Sequence, residues 1–173
     1  MADFLPAFHR TLGHEGAGES NDPIDRGGRT YRGISQVHHP DWPGWTCPRG
    51  ERDEHVEALY RSQFWSYIRG DNIADQPIAE ELFDTAVNTG IRAASRMFQR
   101  ALNILNRQGR VFADLAVDGR IGSATIAALD SLPSRDMATL LKLLNILQGM
   151  HYVQLMERDE TQERFARGWL ART

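Results

Sequence analysis

Apolar residues recur at helical spacing over most of this chain, with one interruption near the N-terminus. Residues 3–14 read as a helix, because Phe4, Phe8 and Leu12 repeat every four residues with Leu5 beside them. At about 100° per residue, Glu15 falls on the same stripe, between Phe8 and Leu12 on the helical wheel. A carboxyl group therefore closes an apolar face, and Gly13, Gly16 and Gly18 punctuate the helix end.

The interruption follows at once. Gly16, Gly18, Pro23, Gly27, Gly28, Gly33, Pro40, Pro43 and Gly44 leave no room for a long helix, and Pro48 and Gly50 close the stretch. Short strands or a hairpin around Arg29–Ser35 fit this segment, followed by a loop bearing Trp42 and Trp45. A loop of this length in an ordered domain usually carries function.

From residue 51 the helical rhythm resumes. Val56, Leu59, Tyr60 and Phe64 mark a helix over 51–65, and Pro77 opens another, with Ile78, Leu82, Phe83, Ala86 and Val87, that Gly90 ends. A further stripe comprises Ala94, Met97, Phe98, Ala101, Leu102 and Leu105 and runs up to Gly109. A turn motif over Val117–Ser123, a helix over 124–129, a long helix over 136–157 after Pro133, and a final helix over 161–171 complete the chain. The expected fold is mainly α, a helical bundle with a small N-terminal β or irregular insert.

Composition narrows the function classes. The 173 residues are 41% hydrophobic and 25% charged, with a net charge of −3, which suits a globular protein and supplies no general basic field for nucleic acid or anionic lipid. The first 60 residues carry ten acidic and six basic groups, whereas the remaining 113 carry thirteen and fourteen, so the acidic excess lies where the rhythm is broken. Of 20 basic residues only Lys142 is lysine. Cys47 is the single cysteine, so no internal disulfide is expected. Residues 1–12 lack the basic and apolar regions of a signal peptide, and the longest apolar stretch, 137–156, is broken by Lys142, Asn145, Gln148, His151 and Gln154. The expectation is a protein made in the cytoplasm, with no membrane span and no route of its own across a membrane.

The candidate chemistry lies in the acidic, glycine-rich segment from Glu15 to Ser35. Cleaving a glycosidic bond takes a protonated carboxyl to donate to the leaving oxygen. It also takes a second group to stabilise the cationic sugar or activate water. Glu15 suits the first role, since desolvation at the end of an apolar face raises a carboxyl pKa. An aspartate on a polar glycine-rich turn would stay ionised for the second, and small neighbours let a bulky sugar chain approach the backbone. Asp22-Pro23 and Asp25 before Gly27-Gly28 also fit plain turn chemistry, or calcium ligation, although the spacing is not that of an EF-hand loop.

The same segment resembles the signature of the phage-type muramidases of glycoside hydrolase family 108. The resemblance is carried by Glu15, Gly16, Asp22, Pro23, Asp25, Gly27, Gly28, Thr30, Gly33, Ile34 and Ser35. Further matching blocks are Tyr60–Trp65, Arg69-Gly70-Asp71 and Phe83–Gly90. Phe98–Leu102, Val117–Gly122 and Phe165 with Gly168-Trp169 are similar to the peptidoglycan-binding region usually fused to that family. The resemblance implies a lysozyme-like α+β fold, with a catalytic region over 1–90 and a helical peptidoglycan-binding region over 91–173 packed on it as one unit. It implies an endolysin that hydrolyses the β-1,4 bond between N-acetylmuramic acid and N-acetylglucosamine, with no metal and no cofactor. Glu15 takes the family's catalytic glutamate position, Asp25 is assigned the second role, Thr30 positions water or sugar, and Asp22 is the reserve. The partner is the peptidoglycan glycan strand, met by a monomer that needs a holin or its equivalent to reach the periplasm and wall. Two departures stand out. Ala17 and Gly18 replace the family's second glycine and aromatic, and the Glu/Asp/Thr spacing of the better-known phage lysozymes would put an aspartate where Ile24 stands.

Other residues carry double readings. Trp42 and Trp45 could stack on sugar rings or pin the proline-rich loop. Asn88 could face the cleft or cap a helix. His14 could tune Glu15 or be solvated. His38, His39 and His55 lack metal-ligand spacing, Arg69-Gly70-Asp71 reads as a turn between helices, and Asp118-Gly119 reads as a turn before an N-cap or as a wall contact. Two rival functions use the same fold: a lytic transglycosylase working through one glutamate, and a non-hydrolytic wall-binding or secretion-accessory protein.

Overall fold

The computed structural model describes residues 1–15, 19, 20 and 29–173, except for the side chains of residues 14, 15, 19 and 20. Helix α1 (Phe4–Glu15) leads into three two-residue strands, β1 (Glu19–Ser20), β2 (Thr30–Tyr31) and β3 (Ile34–Ser35). Helices α2 (Arg52–Tyr60), α3 (Gln76–Thr89), α4 (Ile91–Leu105), α5 (Ser123–Ser131), α6 (Met137–Arg158) and α7 (Ala166–Leu170) follow, making the fold mainly α with a small N-terminal insert.

The core forms where the amphipathic faces meet. Helix α1 packs on α3, α3 packs on α4, and both α3 and α4 pack on α6. The buried face of α1 is Phe4, Ala7, Phe8 and Thr11, with Leu12 partly covered, while Leu5 is 41% exposed. Leu5 thus stands beside the stripe, on the side of the helix toward solvent. Phe4 meets Phe83 edge-on at 5.7 Å and Trp65 at 5.6 Å, and Phe8 meets Tyr60 at 5.7 Å. Edge-to-face aromatic pairs at such distances add stabilisation beyond their buried area.

Local sequence sets the helix ends. The Asp75 carboxylate accepts from the Ile78 backbone N–H at 3.1 Å, and Pro77 occupies the first turn of α3. Gly90, at φ +87°, makes the turn that separates α3 from α4. The expected helix over 51–65 divides into α2 and a π-turn at Arg61–Trp65, whose wider winding sets Trp65 into the core at full burial. The Arg69-Gly70-Asp71 tripeptide is indeed a turn, with Asp71 accepting from the Trp65 indole N–H at 2.8 Å. Gln99 of α4 holds the Asp118-Gly119 loop, donating to the Asp118 carboxylate at 2.8 Å and to the Arg120 carbonyl at 3.0 Å, and accepting from the Gly119 N–H at 2.9 Å. Gly122, not a capping side chain of that loop, stands at the N-cap of α5. The final helix expected over 161–171 is a 3₁₀ stretch, Glu160–Phe165, running into the short α7. Among the described residues, no helix is long and apolar enough to cross a membrane.

Candidate active site

Three features converge at the end of α1: the β-insert, the C-terminal part of α3, and the last turn of the chain. Glu15 is the final residue of α1. Its side chain, like Asp22 and Asp25 in their entirety, lies outside the described residues, as does the His14 side chain.

The insert is an antiparallel sheet in the order β1-β2-β3, which sets Ser20 opposite Thr30, and Thr30 opposite Ser35. Thr30 is thereby brought beside the strand that begins four residues after Glu15. The turn between β2 and β3 is made by Arg32 (φ 44°) and Gly33 (φ 80°), the left-handed pair that a two-residue hairpin of this hand requires. Two anchors tie it to α2. Asp53 accepts from the Tyr31 hydroxyl at 2.9 Å and pairs with Arg32 at 3.0 Å, while the Tyr60 hydroxyl donates to the Arg32 carbonyl at 3.0 Å. Burial first, and then the neighbouring Asp53 carboxylate, push the Tyr31 phenol above its ordinary pKa.

The expected loop with two tryptophans follows. Trp42 and Trp45 are both buried, in an edge-to-face pair at 4.9 Å. The Trp42 indole donates to the His55 carbonyl at 3.2 Å and the Trp45 indole to the His39 carbonyl at 2.7 Å. Tyr31 stacks over Trp42 and the Arg29 guanidinium lies over Trp45 at 5.2 Å. These contacts pin the loop to α2 and to the hairpin. Trp42 also forms part of the wall of an open hollow.

That hollow, of about 470 Å³, runs between His38, His39, His55 and Gln63. It shares His39 and Leu59 with a second of about 230 Å³, under Gly33, Ile34, Tyr60 and Asn88. Asn88 then joins the second to a third, of about 730 Å³, between Gly13 of α1 and the last turn of the chain. The result is a groove that passes the hairpin and the end of α1, with Asn88 at its waist. Asn88 is partly exposed, and its amide donates to the Asp84 carbonyl at 2.8 Å and carboxylate at 3.2 Å. It both faces the groove and bonds back into its own helix. Burial, and then His38 next to it, lower the His39 pKa from its ordinary value. Among the described residues, no group of three or more His, Cys, Asp or Glu side chains is arranged to hold a metal ion.

One charged cluster escapes the sequence reading. Glu81, Asp84 and Thr85 are buried on α3, with Gln148 of α6 donating to the Thr85 hydroxyl at 3.1 Å and the Arg172 guanidinium to Asp84 at 2.8 Å. Burial, and then the Asp84 charge, raise the Glu81 pKa to about 7 against the opposing pull of Arg10, 3.7 Å away. Such a value would suit a general acid. Glu81 is only 1% exposed, however, and lines none of the three hollows, so it belongs to the core. Glu81 and Asp84, which flank Leu82 and Phe83 within the apolar stretch of α3, were the one available signal for it.

Both halves of the chain are similar to known proteins. Residues 8–90 match the family model for glycosyl hydrolase 108, and residues 93–173 match that of a predicted peptidoglycan domain. Residues 8–90 thus belong to the glycosyl hydrolase 108 family, and a peptidoglycan domain follows them. The protein is a glycoside hydrolase directed at peptidoglycan. The solved structure of Brucella abortus SagA is similar in fold, with a TM-score of 0.59 at 22% identity, covering 98% of this chain and 92% of that one. No curated protein matches the chain.

Proposed function

We propose that this chain is an endolysin-type N-acetylmuramidase. It hydrolyses the β-1,4 bond from N-acetylmuramic acid to N-acetylglucosamine, with Glu15 as general acid. The observation that carries this reading is the course of the groove, which passes Gly13, the end of α1 and Asn88 and so runs by the residue that closes the apolar face. Glu15 donates its proton to the glycosidic oxygen as the bond to the anomeric carbon breaks. The resulting oxocarbenium-like centre is stabilised by the Asp25 carboxylate, with Asp22 in reserve, and water completes hydrolysis. Thr30, on the strand beside β1, positions the water or the sugar. Asn88 and the Trp42–Trp45 loop contribute to the groove that holds the strand. The enzyme works as a monomer in the periplasm and wall, released there by a holin or an equivalent, in a bacteriolytic role of the phage or prophage type.

The test is clearing of outer-membrane-permeabilised Gram-negative cells by the wild type and by Glu15→Gln, with mass spectrometry of the released fragments. The expected result is clearing by the wild type, a loss of about 100-fold or more in the variant, as for removal of a general acid, and fragments with reducing muramic ends. Anhydro-muramic ends would make the enzyme a lytic transglycosylase. Folded proteins that bind sacculi without clearing would make it a wall-binding or secretion-accessory protein.

A further inference from the structure

An acidic net charge hides a local surplus of the opposite sign. Residues 91–129 carry six arginines and two aspartates, whereas the rest of the chain has fourteen basic and twenty-one acidic residues. Arg92, Arg96 and Arg100 follow one another turn by turn along α4, and all three are exposed. The helical rise sets them in a row about 12 Å long. Arg120 joins them from the loop after α4, which runs back along that helix. Asn103 donates to the Leu115 carbonyl at 2.9 Å and accepts from the Leu115 N–H at 2.8 Å, and Gln99 holds Asp118 and Gly119. Gly119 presses on the stems of the row. A β-carbon there would lie 2.7 Å from Cγ of Arg92 and 3.3 Å from Cγ of Arg96.

Among the described residues, none of these four guanidinium groups makes an ion pair or a hydrogen bond. The two aspartates of this segment are engaged elsewhere. Asp114 accepts from Asn106, and Asp118 accepts from Gln99 and from the Arg120 backbone N–H at 2.9 Å. The Asp118 charge acts on Arg120, which leaves the row on α4 unopposed. Two exposed apolar side chains border the row. Ile104 stands one turn beyond Arg100 and is 59% exposed, and Val117, between the Leu115 and Gly119 anchors of the loop, is 39% exposed. None of these six residues lines the groove.

We propose that this face of α4 docks the enzyme on an anionic phospholipid bilayer. Arg92, Arg96 and Arg100 meet the lipid phosphates, while Ile104 and Val117 enter the boundary between headgroups and acyl chains. Charge complementarity selects the partner, since a guanidinium fork matches phosphate oxygens and no carboxylate of the chain competes for these three. The overall charge of −3 does not oppose docking, because salt screens charges beyond about 10 Å and the bilayer senses those nearest to it. The exposed isoleucine in line with the arginines favours a bilayer over a nucleic acid, whose phosphate backbone offers it no apolar partner. The docked face lies outside the groove, so a bilayer-bound enzyme keeps its groove for the wall.

The experiment mixes the full chain with vesicles of phosphatidylcholine alone, or of two parts phosphatidylcholine to one part phosphatidylglycerol, and reads binding by sedimentation. The wild type is expected on the anionic vesicles only, with binding that weakens as salt rises. Arg96→Gln/Arg100→Gln should weaken it about 25-fold, at about fivefold per arginine. Arg49→Gln/Arg69→Gln makes the same change in charge at exposed positions outside this face, and should weaken it by no more than about twofold. Ile104→Asn should weaken it about fivefold and leave its salt dependence as it was. Turnover of purified, lipid-free sacculi should stay within about twofold in every variant. Absent binding, equal binding to both kinds of vesicle, or unchanged binding in Arg96→Gln/Arg100→Gln overturns the proposal. Tighter binding to duplex DNA than to the vesicles, lost in the same variant, overturns it in favour of a nucleic-acid contact. A parallel loss of sacculus binding or turnover in that variant overturns it in favour of a wall contact.

Discussion

The Arg172 guanidinium lies 2.8 Å from the Asp84 carboxylate, and the two side chains are 9% and 5% exposed. The second-last residue of the chain is thereby bonded to the middle of α3, across the boundary between the two matched family regions. Asp84 also accepts from Asn88 one turn further along, so one carboxylate connects the C-terminal arm to the waist of the groove.

Removing one member of a buried pair strands the other, and Arg172→Ala should therefore cost about 3 kcal/mol in urea unfolding. An Asp84→Leu/Arg172→Leu double variant should be less destabilised than either single variant, because neither charge is then left in the core. If the single changes simply add in the double variant, the pair is not coupled and the arm is held by its other contacts.

Glu81 carries a sharper, pH-dependent expectation. Its pKa is raised from 4.5 to about 7 by burial and then by Asp84. The folded state therefore holds this proton more tightly than the unfolded one. The stabilisation is fully present below about pH 4.5, declines as the pH rises, and is lost above about pH 7. Glu81→Gln, which carries no titrating proton, should flatten the fall in Tm between pH 5 and 8. At pH 8 it should be the more stable protein by roughly 2 kcal/mol. Parallel melting curves of the two proteins that fall equally with pH would remove Glu81 from the account.

The helix boundaries were legible because their signals are local. Pro77 opens α3, Gly90 closes it, and the Ala94-to-Leu105 stripe is the buried face of α4, whereas the Asp75 cap came only with the structure. The candidate site was legible only in part, for the same reason. Glu15 can be placed at the end of an apolar face by counting residues. In contrast, the partnership of Asp84 with a residue 88 positions away leaves no periodic trace. The wall formed by Phe165 and Trp169 opposite Gly13 likewise depends on how α6 and the 3₁₀ stretch return the chain. The π-turn at Arg61–Trp65 also reads as ordinary helix, because it widens one turn without changing which residues are apolar.

Gly70 illustrates a close approach that a motif search would misread. A β-carbon built at this position would lie 2.2 Å from the Trp65 indole, far inside contact distance, and Trp65 itself is fully buried. Gly70→Ala should therefore cost about 3 kcal/mol or more, since the ring it displaces has packed neighbours on all sides. Gly50→Ala, where a β-carbon meets nothing within 4 Å, is the control and should leave the melting temperature within about 1 °C of wild type. An adhesive role for Arg69-Gly70-Asp71 would predict the reverse order of sensitivity, in binding and not in stability.

Asp53 tests the hairpin anchor without touching the groove's floor. Its carboxylate holds both Tyr31 and Arg32, yet it is 55% exposed, so Asp53→Ala should lower stability by less than about 1 kcal/mol. Activity should fall further, by about 10-fold, because the strand bearing Thr30 loses one of its two ties to α2 and catalytic geometry tolerates little displacement. A spectroscopic signature separates this from general loosening. In Asp53→Asn the Tyr31 phenol loses the neighbouring negative charge that helps hold its pKa up, while its burial remains. Ultraviolet titration should therefore find one tyrosine ionising at lower pH than in the wild type. An unshifted tyrosine together with full activity would mean that the Tyr60 bond to the Arg32 carbonyl suffices to hold the hairpin.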